Sequence, residues 1–157
     1  MKHPLLKIYH RLFSRFGRQH WWPGDTPLEI MVGAVLTQNT NWKNASLAID
    51  NLKRRKLLDA GKLFRLPERK LASLLRPAGY YNIKARRLKN FLNFYIREYS
   101  ASVSAMRSRK VGFLRGQLLG VNGIGQETAD SILLYALNKP VFVVDSYTKR
   151  ILVRHGL

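Results

Sequence analysis

The stretch "VNGIGQETADSILLYA", residues 121–136, sets Gly123 and Gly125 around one apolar residue, and a helical pattern begins directly behind them. A preceding helix ends at "QLLG", so the segment reads as helix–hairpin–helix. Paired glycines let the backbone adopt positive φ and approach a neighbour without a Cβ in the way. The helix that follows presents unpaired N–H groups and the positive end of its dipole. Gly123, Gly125, Gln126 and Thr128 are therefore candidate phosphate contacts, in a grip that ignores base sequence.

The charge of the chain names the partner for such a grip. Its 157 residues carry 28 Lys and Arg against 9 Asp and Glu, a formal charge of +19. A field of that size attracts polyanions, and the basic residues are spread over many segments rather than along one amphipathic helix. Double-stranded DNA is the expected partner and a membrane is not. At 46% hydrophobic the chain can bury a core. It holds no cysteine, which excludes disulfides, zinc–thiolate sites and an iron–sulfur cluster built from this chain. The longest apolar run, Ile30 to Leu36, is too short to cross a bilayer, and the first residues do not resemble a cleavable signal. A cytoplasmic, nucleoid-associated monomer is expected.

Outward from the hairpin the pattern is helical throughout, and the expected fold class is all-α. Leu5, Ile8, Tyr9, Leu12, Phe13 and Phe16 recur at three and four behind Pro4, and Gly17 closes that element. "WWPGDTP" is a loop. Pro27 starts a helix that is apolar on nearly every side through Leu36 and so belongs inside the protein. Asn44 is expected to cap a third helix that runs into "KRRK". Pro67 opens another, "RPAG" stops it, and Leu88 to Tyr99 mark a long amphipathic helix. "SASVSAMRSRKVG" reads as a polar link and "VFVV" as a buried connection. Asp145 then precedes a last helix from Ser146 to about His155, as a favoured N-cap residue that its cap position keeps ionised.

These pieces together resemble the endonuclease III superfamily of DNA glycosylases. "LLGVNGIGQETADSILLYALNKPVFVVDSYTKRIL" is similar to that superfamily's hairpin, following loop and aspartate. "WWP", "LTQNT", "RPAGYYNIKARRLKNF" and "VVD" resemble its 3-methyladenine DNA glycosylase branch. The resemblance implies two helical lobes with the active site at their junction. Residues 24–137 would form a central domain containing the hairpin at about 113–137. Residues 1–23 and 138–157 would belong to the second lobe, which further helices beyond Leu157 would complete; any 4Fe–4S cluster would lie in that part of a longer parent.

The implied activity is hydrolysis of the N-glycosidic bond of a damaged base turned out of the duplex. Asp145 matches the catalytic aspartate and would stabilise the oxocarbenium-like sugar. Trp21, Trp22 and Trp42 would surround the extruded base, and Gln38 in "LTQNT" would fill the gap left in the stack. Strand-nicking members carry a lysine 18 positions before the aspartate; here that position is Glu127. A carboxylate forms no Schiff base, so base removal by water is expected, from an alkylated purine such as 3-methyladenine. Two alternatives stay open. One is an endonuclease III-like glycosylase and lyase for oxidised pyrimidines, using Lys84, Lys139 or Lys149. The other is a hairpin module that only holds DNA. "KRRK", "KARRLK" and "RSRK" are expected to steer DNA.

Overall fold

The computed structural model describes residues 4–19 and 21–157. Among them the chain forms ten α-helices and no strand. Helix α1 spans Pro4–Phe16 and buries none of its residues. Its apolar stripe, with Leu6, Tyr9, Leu12, Phe13 and Phe16, faces solvent. At its end Gly17 takes φ +66° and donates its N–H to Phe13 O at 2.8 Å, a left-handed C-terminal cap.

Helix α2, Pro27–Leu36, is the centre of the molecule. Thr26 caps it by accepting from Glu29 N at 3.2 Å, and Pro27 supplies the preset φ of a first turn. Met31, Val32, Val35 and Leu36 have no exposed surface. Such a helix needs neighbours on every side, and it has them: α3 (Trp42–Arg54), α6 (Tyr81–Tyr99) and α9 (Gln126–Ser131) all pack on it. α3 contributes Ala45, Ala48, Ile49 and Leu52, whose three- and four-residue spacing is one helical face. α6, 19 residues long, buries Ala85, Leu88, Phe91, Leu92, Tyr95 and Tyr99 in the same way.

Three expectations about this framework are corrected. The third helix starts at Trp42 and is capped by Asn41, which accepts from Asn44 N at 2.9 Å; Asn44 is the donor. A short helix, α7 (Val103–Arg107), capped by Ser102, falls where only a polar link was expected, and a second, α4 (Ala60–Arg65), capped by Asp59, follows α3. Neither is long enough to show a period, and each rests on its capping side chain. The run at 141–144 is not buried, since Phe142 is 67% and Val144 50% exposed. The remaining helices are α5 (Glu68–Leu74), α8 (Val111–Leu119) and α10 (Ser146–Arg154).

The basic side chains are partly structural. Lys53 Nζ lies 2.7 Å from Asp25 and 2.6 Å from Glu29, tying the tryptophan loop to α3. Lys89 caps the carbonyls of Phe64 and Leu66 at the end of α4. Arg107 donates to Ala136 O at 3.1 Å, and Lys139 donates to the carbonyls of Arg107 and Arg109. Each run expected to steer DNA therefore has members whose heads close helix ends or loops instead, where unpaired carbonyls collect.

Lys84 is the extreme case. It is 1% exposed, and its Nζ donates to Ala78 O at 2.5 Å, beneath the turn that leads into α6. Burial, and then the charge of Arg87, lower its ammonium to about 8 from 10.5. The folded chain thus holds this proton less tightly than the unfolded chain, so folding with Lys84 charged carries a cost below pH 8 that fades as pH rises towards 10.5. Lys84→Met should show its most favourable stability relative to wild type at pH 7. That difference should shrink by about 1–3 kcal/mol by pH 10. Denaturant unfolding of both proteins across this range measures it, and a pH-independent difference contradicts the assignment.

Candidate active site

The hairpin joins α8 to α9 through residues 120–125. Gly123 takes φ +95°, and a Cβ built there would stand 2.3 Å from Arg87 Cγ on α6. Glycine is required twice over, by backbone conformation and by this contact. Gly125 is the N-cap of α9 and contributes no capping side chain, while Gln126 behind it is exposed. The first amides of α9 are thus left to an external acceptor. Arg115 of α8 grips Asp130 of α9 through two bonds, Nε–Oδ1 at 2.7 Å and a second to Oδ2 at 3.0 Å, and so holds the two helices together.

Thr128 and Gln38 are joined through their side chains. Thr128 is buried, and its hydroxyl accepts from Gln38 Nε2 at 2.9 Å. The same Nε2 donates to Gly123 O at 3.0 Å, and Arg87 donates to Gln38 Oε1 at 2.5 Å. In this structure the Gln38 side chain is thus bonded to the hairpin and to α6. Its neighbour Asn39 is the exposed residue of that loop and has φ +52°.

Past Ser131 the helix after the hairpin widens. Leu137 N bonds Ile132 O at 3.1 Å, five residues back, and Ile132–Ala136 form a π-turn. Such turns re-aim side chains and are frequent at functional sites. This one presents Tyr135, which stacks on Trp22 with centroids 5.0 Å apart and planes at 29°. Trp22 meets Trp42 edge-on at 5.6 Å. Both indoles lie against Gly33 of α2, where an added Cβ would come 3.4–3.5 Å from their atoms. Trp22 Nε1 is buried and has no hydrogen-bond partner among the described residues. Trp21 is 65% exposed and its indole hydrogen-bonds to the Tyr135 phenol.

Asp145 stands near Tyr135, at the start of α10. It caps α10 by accepting from Thr148 N at 2.7 Å. Burial raises the Tyr135 phenol above its ordinary range; the Trp21 hydrogen bond opposes this and the Asp145 charge adds to it. Partial desolvation, and then the Asp145 charge, likewise raise the Glu127 carboxyl. Trp22, Trp42 and Tyr135 thus form one aromatic group with Trp21 beside Tyr135, and the Asp145 charge reaches both Tyr135 and the exposed Glu127. Among the described residues no group of three or more His, Cys, Asp or Glu is placed to hold a metal ion.

Tyr135 and Arg87 are absent from the sequence-derived site. Tyr135 looks like one more apolar member of a helix until the π-turn redirects it, and Arg87 looks like one of many basic residues until Gly123 is seen against it. The Gly-Ile-Gly spacing was the available signal for Arg87, because a glycine that must accept a close neighbour implies one.

Comparison with known proteins gives the class of this all-helical frame and its hairpin. Residues 32–157 match the family model of the HhH-GPD superfamily base excision DNA repair proteins. The chain belongs to this superfamily of base excision DNA glycosylases. It is 50% identical over 154 residues to the "Putative DNA repair glycosylase" of Methanocaldococcus jannaschii, covering 98% of this chain and 70% of that protein. Helicobacter pylori 3-methyladenine DNA glycosylase, bound to 1,N6-ethenoadenine, superposes with a TM-score of 0.83 at 32% identity, covering 98% of this chain and 73% of that one. Endonuclease III trapped as a covalent intermediate with DNA shares the fold, with a TM-score of 0.79 at 21% identity over 99% of this chain and 70% of that one.

Two measurements check the site. In Asp145→Asn the Glu127 carboxyl, followed by NMR, should titrate at lower pH than in wild type, since a like charge has been removed. An unchanged Glu127 titration would separate the two groups. Gly123→Ala should destabilise the fold by about 1–3 kcal/mol through overpacking and an unfavourable φ. Arg87→Ala should recover part of that loss in chemical denaturation.

Proposed function

We propose that the protein is a monofunctional DNA glycosylase that hydrolyses the N-glycosidic bond of alkylated purines, of the 3-methyladenine type, in duplex DNA. The observation that carries this reading is Glu127 in the first turn of α9, close enough to Asp145 for their charges to interact. The lyase branch has an amine at this position, and a carboxylate cannot become a Schiff base. Of the substitute lysines, Lys84 is buried and Lys139 is spent on two carbonyls. Lys149, exposed on α10, is the remaining candidate.

The substrate class follows from the chemistry of the cleft. An N-alkylated purine is cationic, and indole and phenol faces attract such a ring by about 0.5–2 kcal/mol per contact. Two carboxylates, Asp145 and Glu127, add a local negative field within a chain of charge +19. The base leaves as a neutral molecule when its bond to the sugar breaks, so it needs little protonation. Asp145 stabilises the positive charge that develops on the sugar, water adds to that carbon, and its proton passes to a carboxylate or to solvent. Resemblance to the glycosylase bound to 1,N6-ethenoadenine supports a purine in the pocket.

Duplexes carrying 3-methyladenine or thymine glycol test the proposal. Wild-type protein should release 3-methyladenine and leave strand breaks that appear only after alkali. Asp145→Asn should lose excision by at least about a hundredfold, the range for removal of a transition-state charge partner, and keep duplex affinity within a few-fold. Breaks without alkali, with borohydride trapping, would make the protein a lyase. Duplex binding with no excision of either base would make it a binding module.

A further inference from the structure

A π-turn fits poorly into an α-helical run and persists where it re-aims a side chain. After Ser131 the bond from Leu137 N to Ile132 O does this for Tyr135, bringing it against Trp22 with ring centroids 5.0 Å apart and planes at 29°. Trp22 is thereby enclosed: Tyr135 stacks on it, Trp42 meets it edge-on at 5.6 Å, and Gly33 lies beside its Nε1. That indole N–H is buried and has no acceptor among the described residues. A ring free to turn would carry it to water or to a carbonyl, since an unpaired buried donor is costly. Trp22 is therefore held by its neighbours against its own hydrogen-bonding preference. A phenylalanine would stack on Trp22 equally well, so the hydroxyl of Tyr135 has a second use. It meets the indole of Trp21, a ring 65% exposed for which no other hydrogen bond or ring contact is found among the described residues.

We propose that Tyr135 is a positioning residue for base excision: its ring braces Trp22 and its hydroxyl tethers Trp21, so that the tryptophan loop presents a preset aromatic seat to the extruded base. The inner end of that loop is fixed independently. Gly24 packs on Ile30, where a Cβ would stand 2.7 Å from Cγ1. Asp25 N donates to Glu29 Oε2 at 3.2 Å, and Lys53 joins both carboxylates. Tyr135 holds the outer end. Ordering an exposed indole at the moment of binding costs affinity, and a tether made in advance removes that cost. Tyr135 does not act on the bond that breaks; that role stays with Asp145. The brace rests on the reading above, in which Trp21, Trp22 and Trp42 receive the base, and adds which residue holds them in place.

The test uses the full chain labelled with fluorotryptophan. Its three indoles give three fluorine NMR resonances, assigned from single replacements of each by phenylalanine. Tyr135→Phe keeps the ring and its burial and removes only the tether. The Trp21 resonance should narrow and move towards the shift of the free amino acid, while those of Trp22 and Trp42 hold. In single-turnover excision of 3-methyladenine, the protein concentration giving half the maximal rate should rise by about twofold to tenfold, the range for ordering one side chain. The maximal rate and its pH profile should stay within about twofold of wild type, because only binding is lost. Affinity for undamaged duplex should not change. Tyr135→Leu removes brace and tether together; it should raise the half-saturating concentration by about fivefold to a hundredfold, the scale of a lost aromatic stack, and shift the Trp22 resonance too. If the Leu variant fails to fold, the Phe variant carries the test alone. An unmoved Trp21 resonance, or an unchanged half-saturation, in Tyr135→Phe would overturn the brace. So would a fall in maximal rate at constant half-saturation, which would place the phenol in bond cleavage. If wild-type protein excises neither 3-methyladenine nor thymine glycol, the substrate reading fails, and the fluorine resonances, which need no excision, still decide the brace.

Discussion

Everything in the molecule is arranged around the burial of α2. An apolar helix of ten residues with no polar face must be enclosed, and the enclosure is made by α3, α6 and the helix that follows the hairpin. Its full burial stabilises the fold, at about 25 cal/mol per Å² of apolar area, more than any single polar contact here can. It also sets the geometry of the site. Gly33, at the middle of α2, is the surface on which Trp22 and Trp42 rest, and the loop at its C-terminal end delivers Gln38 to the hairpin. The tryptophan cluster and the hairpin are two ends of one packed core.

The charge distribution then separates attraction from recognition. With 28 basic side chains the protein draws DNA from a distance, yet many of those heads are occupied. Lys84, Lys89, Arg107 and Lys139 satisfy backbone carbonyls, and Lys53 neutralises Asp25 and Glu29. Within that positive surround Asp145 and Glu127 are two acidic groups close enough for their charges to interact. Such a contrast suits an enzyme that must bind a polyanion and still favour positive charge at one carbon.

The hairpin is where conformational and functional demands coincide. Positive φ at Gly123 turns the chain, the missing Cβ admits Arg87, and the missing side chain at Gly125 leaves the amides of α9 open. Any one of these would explain a glycine. Together they make the segment rigid on its inner side and empty on its outer side, which is what a backbone grip needs.

The sequence alone determined the helical class, the burial of α2, the hairpin and the aspartate at the start of α10. Each is written locally, in three- and four-residue periodicity, in glycine spacing or in a capping residue next to a helix. It also placed Glu127 where the resemblance to the endonuclease III superfamily puts the lyase lysine, 18 positions before Asp145. Only the tertiary structure decided which way Gln38 and Thr128 face, that Lys84 is buried, and that Tyr135 joins the tryptophans. The contacts of Gln38 and Thr128 join residues 49 to 90 positions apart, and the Trp22–Tyr135 stack joins residues 113 apart across a single widened helical turn. A side chain's direction is set by the neighbour it meets, and when that neighbour lies on another helix no local pattern carries the information.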